Sequence, residues 1–167
     1  MKIKEFEHFR NFDMTQFVIA QDVTEIEDCA FMDCTSLKEI SFPDSVKHIG
    51  RACFCGCDSL ENVSFSALCK LEKIDSDAFG KCFNLKEVTL PYQVDVIEKE
   101  AFGQCYELEK ITMPEIIGEI KEDAFLGCSP KSIIYKNKEF NQISKFLEYF
   151  EEEKVQTIEN IDVEIFR

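Results

Sequence analysis

One apolar pattern recurs along this chain, and a phenylalanine is its clearest member. The phenylalanines stand at positions 31, 54, 79, 102 and 125, so the steps between them are 23, 25, 23 and 23 residues. Three further series keep the same steps: Cys34, Cys57, Cys82, Cys105, Cys128; Ile26, Ile49, Ile74, Ile97, Ile120; and Ile40, Val63, Val88, Ile111, Ile134. A leucine keeps them from Leu37 to Leu108, and Lys131 breaks its series. Periods of this length predict a solenoid in which each unit is one coil of a stack.

The alternation of apolar and polar residues within one unit predicts two short strands on opposite sides of the coil. Ile40 and Phe42 are apolar and their neighbours are polar, which is the spacing of a strand with one buried face. Pro43 follows, and it ends this strand because proline has no N–H group for a neighbouring strand. Residues 46–49 form a second extended run, and a tight helical or turn segment follows at residues 52–54. Stacked coils of this kind share one continuous core and place like strands side by side in a parallel sheet.

The N-terminal end departs from the period and is predicted to cover the first coil. Phe17 falls on the position of Ile40, so residues 11–20 are interpreted as a degenerate half-repeat with its own strand. Apolar residues at every third position of residues 3–12 predict a short helix. Such covers are expected because the end units of a solenoid would otherwise expose their core.

The C-terminal end also departs from the period. Residues 132–135 are predicted to be the last strand, and an apolar stripe from Phe140 to Phe150 predicts a helix. Residues 161–165 alternate and predict a further strand. We favour a cap for this segment, because an unprotected sheet edge promotes aggregation, and a partner-binding tail is the alternative. The predicted organisation is a cap and half-repeat at 1–21, five repeats at 22–135 and a cap or tail at 136–167.

The repeated residues resemble a known family. The unit from Ile97 to Pro114 fits the pattern I-x-x-x-A-F-x-x-C-x-x-L-x-x-I-x-[IL]-P of the BspA-like, or Treponema pallidum-type, leucine-rich repeat, with Met113 at the bracketed position. The resemblance implies a right-handed repeat solenoid with a parallel β-sheet on its concave face. Short turns or 3-10 segments and short strands are expected on the other side, with helical caps. It also implies a role in adhesion or protein–protein contact, in bacteria and in parasitic or anaerobic protists.

The charge of the chain narrows the kind of partner. Lys and Arg total 19 against 33 Asp and Glu, which gives a net charge of -14. This balance argues against nucleic acid and anionic membrane surfaces, because both require basic patches. A protein partner is expected, a basic one being an option, and the chain is expected to be a monomer. No run of apolar residues is long enough to insert into a membrane.

The cellular location is predicted from the N-terminus and the cysteines. Charged residues occupy the start of the chain, where a secretory signal would need an apolar run. All nine cysteines are therefore interpreted as reduced, and five of them lie on the repeat. The predicted location is the cytoplasm, and the alternative is the cell surface, reached by a route that the sequence does not show.

Cys53, Cys55 and Cys57 form the one cluster that suggests metal or redox chemistry. Zinc sites use pairs of cysteines completed by a second pair or by histidines. Here Cys57 already belongs to the repeated cysteine series and Cys53 to the small residue before each phenylalanine. Core packing is therefore favoured over a metal- or redox-active protein. Histidine occurs only at positions 8 and 48, and no nucleophile–base pairing follows the repeat, so we predict no enzyme activity and no cofactor.

The strand residues that point away from the core are the candidate contact surface. One row consists of hydroxyl side chains, preceded by Val18 and followed by Ile133, and a polar row lies two residues earlier. The candidate partner-binding residues are Glu39, Ser41, Asn62, Ser64, Glu87, Thr89, Lys110 and Thr112. The alternative is that small Ser and Thr side chains only relieve crowding on a concave sheet.

Overall fold

The computed structural model describes residues 2–3 and 15–165, with side chains as far as residue 156. Most of the chain alternates short strands with tight turns, and one long helix follows. The elements are β1 (Lys2–Ile3), β2 (Gln16–Val18), β3 (Glu25–Ile26), β4 (Glu39–Phe42), β5 (His48–Ile49), β6 (Asn62–Phe65), β7 (Lys70–Ile74), β8 (Glu87–Thr89), β9 (Gln93–Ile97), β10 (Lys110–Thr112), β11 (Ile116–Ile120), β12 (Ser132–Tyr135), β13 (Lys138–Phe140) and α1 (Ile143–Ile165).

The strands form two sheets, and each coil gives one strand to each sheet. The six-stranded sheet has the order β1-β3-β5-β7-β9-β11, and the seven-stranded sheet has the order β13-β12-β10-β8-β6-β4-β2. All described pairs are parallel except β12 with β13. Ile40 lies beside Val63, and Val63 lies beside Val88. The predicted repeat solenoid with stacked, parallel strands is therefore confirmed.

The turns between the two sheets also hydrogen-bond from coil to coil. The N–H groups of Phe31, Phe54, Phe79 and Phe102 donate to carbonyl oxygens of the following coil at 2.7–2.9 Å. Two residues per turn have positive φ, at the same two registers in each coil: Cys29, Ala52, Asp77, Glu100, Asp123 and Asp33, Gly56, Lys81, Gln104, Gly127. This regular left-handed geometry, costly for residues with a Cβ, turns alternate N–H groups towards the next coil.

The core is a column of phenylalanine rings with a column of thiols beside it. Phe31, Phe54, Phe79, Phe102 and Phe125 stack with ring centroids 5.0–5.4 Å apart and planes within 7° of parallel. The thiols of Cys57, Cys82, Cys105 and Cys128 each donate to the carbonyl oxygen of the phenylalanine of the preceding coil, with Sγ–O distances of 3.0–3.2 Å. Cysteine therefore recurs because it is small, apolar and still able to donate a hydrogen bond.

In the last coil, one predicted strand register is wrong. Ile111 lies beside Ile133, so Ile133 is buried and Ile134 points outward, the reverse of the prediction. The coil is one residue shorter than the period, and the buried Pro130 takes the place of the missing leucine. Because side chains alternate along a strand, a slip of one residue moves each of them to the other face.

The predictions for the C-terminus are confirmed only in part. The strand predicted at residues 132–135 is present as β12, and the predicted helix is present as α1. Phe140 belongs to β13, which pairs antiparallel with β12, so the helix begins only at Ile143. Residues 161–165 continue α1 rather than forming a strand. Residues 151–165 contain no glycine or proline that would end the helix.

The N-terminal predictions are tested only in part. Residues 4–14, which hold most of the predicted short helix, lie outside the described residues. Ile3 is part of strand β1, which pairs with β3, so the helix does not begin there. The strand predicted within residues 11–20 is present as β2, and Phe17 lies beside Ile40 as expected.

Candidate functional site

The outward face of the seven-stranded sheet carries two parallel rows of side chains, which we call the sheet face. All eight predicted residues lie there, on β4, β6, β8 and β10. Six of them are exposed, whereas Lys110 and Thr112 are half-buried. The strand alternation, with Ile40 and Val63 turned to the core, is what points these residues outward.

Hydrogen bonds between coils hold several of these side chains in place. The Ser64 hydroxyl donates to the Ser41 hydroxyl at 3.0 Å, and Lys110 Nζ donates to Glu87 at 2.6 Å. At the N-terminal end, Gln16 Nε2 donates to Glu39 at 3.0 Å. Contacts between neighbouring coils therefore fix part of the sheet face.

The sheet face extends beyond the predicted residues at both ends. Val18, which precedes the hydroxyl row, is 85% exposed. It borders a shallow depression of about 330 Å³ that also contacts Phe17, Ser41 and Ser64. At the far end the hydroxyl row continues with Ile134, not Ile133, because of the shorter last coil. The sequence signal for that change was the proline at position 130 in place of leucine.

A row of alternating charge borders the sheet face, and the sequence reasoning missed it. It occupies the position before the polar row: Lys38, Glu61, Lys86, Glu109 and Lys131. Lys86 pairs with Glu61 at 3.5 Å and Lys131 pairs with Glu109 at 2.5 Å. Lys131 donates a hydrogen bond to Glu109 and thereby lowers the pKa of that carboxyl group. The strict alternation of sign at one register was the signal that could have revealed this row.

The three clustered cysteines are built into the coils. Cys53 and Cys57 are fully buried, as the core-packing interpretation predicted, and Cys55 is half-buried. Burial raises the pKa of all three thiols, which keeps them protonated and poor as metal ligands or nucleophiles. Across the described part of the chain, no group of three or more His, Cys, Asp or Glu side chains could hold a metal ion.

These features define a class of protein, a β-solenoid built from leucine-rich coils. The model of the BspA type leucine-rich repeat region matches residues 2–132 and 49–165, with six copies of the repeat. The chain belongs to the BspA-type leucine-rich repeat family. The fold of this family supports a protein-interaction scaffold. No curated protein matches the chain.

Two solved structures resemble this chain along most of its length. A leucine-rich repeat protein of T. pallidum is 30% identical with a TM-score of 0.66, and the match covers 71% of this chain and 56% of that protein. A leucine-rich cell surface protein from Faecalibacterium prausnitzii A2-165 is 32% identical with a TM-score of 0.69, over 75% of this chain and 33% of that protein. This chain therefore spans about half and about a third of the lengths of these two relatives.

No helix in the described part of the chain has the length and apolar character that crossing a membrane requires. All nine cysteines are free thiols, in agreement with the prediction that they are reduced.

Proposed function

We propose that this chain is a non-enzymatic interaction module whose protein partner lies along the sheet face. The observation that carries the proposal is the continuity of this surface: strands from β2 to β12 present two outward rows with a shared register. Small hydroxyl side chains such as Ser41 and Ser64 let another chain approach closely, and the polar row beside them offers hydrogen bonds. Asn62 and Thr89 make no side-chain hydrogen bond among the described residues, so both can serve a partner.

The chemistry of the described residues supports binding rather than catalysis. The polar groups of the sheet face pair with one another across coils, as Ser64 does with Ser41. The buried thiols are held protonated by their surroundings, as burial raises the pKa of Cys57. Catalysis needs a nucleophile or base aimed at a site for the reacting atom, and the sheet face supports contact instead.

Two arginines placed on the sheet face test this proposal. The variant Ser64→Arg/Thr89→Arg should lose a partner that the unmodified chain captures from the native source, because the arginines block close approach and add charge. The matched control Thr35→Arg/Ser129→Arg makes the same chemical change at exposed positions outside the strands and should keep the partner. If both variants retain the partner, the binding site lies outside the sheet face and the proposal is wrong.

The second candidate is a cell-surface adhesin with the same fold. The F. prausnitzii relative, described as a cell surface protein, favours this location. Nine free thiols favour the cytoplasm instead, because disulfides form and persist in oxidising compartments. Protease treatment of intact cells that carry the tagged chain decides between them: digestion of the chain supports the adhesin, and protection supports the cytoplasmic module.

A further inference from the structure

The C-terminal end of the solenoid is closed differently in its two sheets. β13 covers the edge of β12, whereas β11 has β9 on one side and no strand on the other among the described residues. Helix α1 crosses this end, and Phe146 and Phe150 pack on Tyr135 with ring centroids 5.6 and 6.0 Å apart. An edge strand offers main-chain N–H and C=O groups to another extended chain.

Helix α1 does not seal the space beside β11. A groove of about 330 Å³ remains between them, which we call the edge groove. Its floor is formed by Ile117, Tyr135 and Phe150, and Ile116 and Glu115 lie on the β11 side. Ile116 is 48% exposed, so an apolar side chain that entered the groove would cover surface that now faces water.

Exposed apolar residues stand near the start of one strand in each of three neighbouring coils, and the last of them borders the edge groove. Leu68, Tyr92 and Ile116 are the exposed apolar residues at this corner of three consecutive coils. The residues in register with Ile116 on β7 and β9 are Lys70 and Gln93, both polar. Among these three aligned positions only the one that borders the edge groove is apolar, so the stacking of the coils does not require an apolar residue there.

The charges at the edge groove select the kind of segment that fits. Both lysines of the lining are paired: Lys136 with Glu153, with Nζ and Oε2 2.8 Å apart, and Lys154 with Glu151, with Nζ and Oε1 3.5 Å apart. Glu115 makes no hydrogen bond or ion pair with any described residue. The chain carries a net charge of -14, which repels a second copy as well as nucleic acid. A basic segment would pair with Glu115 and would be attracted by the net negative charge of the chain.

We propose that the edge groove binds a basic, extended segment of a partner protein. The segment adds to β11 as a strand, inserts an apolar side chain between β11 and α1, and places a lysine or arginine against Glu115. This site lies at the end of the solenoid and is additional to the sheet face. The two sites consist of different residues, so each proposal can be refuted without refuting the other.

A short peptide of alternating lysine and phenylalanine, labelled with fluorescein, is the probe. Its fluorescence anisotropy with the full chain should show saturable binding that weakens with salt, because exposed ion pairs are screened. Ile116→Gln and Glu115→Lys should each weaken binding about ten-fold, as expected when one partly buried apolar side chain or one ion pair is lost at a contact. A peptide of alternating glutamate and phenylalanine should not bind.

Matched variants distinguish binding at the edge groove from nonspecific binding of the peptide. Leu126 is 46% exposed in the same coil but lies on the turn side, so Leu126→Gln should leave peptide binding unchanged, as should Glu122→Lys. Equal urea stability of all four variants shows that each one folds. Ser64→Arg/Thr89→Arg should also keep peptide binding, since it alters only the sheet face.

Four outcomes would overturn the proposal. They are the absence of saturable binding by the lysine peptide, equal binding of the glutamate peptide, equal effects of Ile116→Gln and Leu126→Gln, and self-association in the ultracentrifuge that Ile116→Gln abolishes. The last outcome would assign the groove to a second copy. A captured partner that is lost only in Ser64→Arg/Thr89→Arg would leave the sheet-face proposal standing while this one fails.

Discussion

Replacing Phe79 by alanine tests whether the ring column holds the coils together. Phe79 is fully buried and stacks on Phe54 and Phe102, each with ring centroids 5.2 Å away. Phe42 also contacts it edge-on at 6.3 Å. Phe79→Ala therefore removes three aromatic contacts and leaves a cavity between two coils. We expect the free energy of unfolding to fall by about 3–5 kcal/mol.

The position of a ring in the column should set the size of its effect. Phe125 ends the column, stacks only on Phe102 among the described rings and is 6% exposed. Phe125→Ala should therefore cost roughly half as much as Phe79→Ala, about 2 kcal/mol. Phe79→Leu keeps much of the apolar volume but loses the ring stacking, and should cost about 1 kcal/mol.

Urea unfolding followed by circular dichroism measures all three variants. The midpoint should move while the slope stays constant, because the surface exposed on unfolding is nearly the same. For a chain of this size, about 3–5 kcal/mol lowers the melting temperature by roughly 6–20 °C. A cost below about 1 kcal/mol for Phe79→Ala, or a larger cost for Phe125→Ala than for Phe79→Ala, would refute the packing argument.

Two further predictions concern the thiol of Cys69 and the close contact between β9 and β11. Burial raises the pKa of Cys69 from 9.0 to about 11, so the unfolded chain loses this proton at lower pH than the folded chain does. The thiol should therefore leave the free energy of unfolding unchanged at neutral pH. That free energy should fall as the pH rises from 9.0 to about 11. Urea unfolding across this range should show a shallower fall for Cys69→Ala, and equal slopes would contradict the assignment. A Cβ atom at Gly118 would lie 2.4 Å from the carbonyl oxygen of Asp95, so Gly118→Ala should cost about 1–3 kcal/mol although the site is exposed. Ser129→Ala, also exposed in the last coil, is the control and should change stability by less than about 0.5 kcal/mol.

The sheet face was predictable residue by residue, whereas the edge groove was not. Ser41, Ser64 and Thr89 alternate with buried residues along their own strands, and strand alternation alone turns them outward. Ile117, Tyr135 and Phe150 come from three separate elements, and no local spacing connects them. Only the path of α1 across the last coil brings them together.

The errors at the C-terminus arose where the repeat stops constraining the chain. Within the array each coil pairs with the coils on both sides, so the strand register of one coil sets the register of the next. Beyond Cys128 a single missing residue moved Ile133 inward and Ile134 outward. The alternation at residues 161–165 fits a strand by spacing, but a helix that has already formed continues without a breaker.

The sequence alone determined the coil, its period, its buried residues and the outward rows of the sheet, because each follows from short-range alternation repeated at a fixed interval. Tertiary structure decided how the stack ends. Which strand is covered, by β13, and which is left with an open edge, as β11 is, depends on where α1 packs. That choice follows from burying Phe146 and Phe150 against the last coil, a contact between distant parts of the chain for which no repeat supplies a pattern.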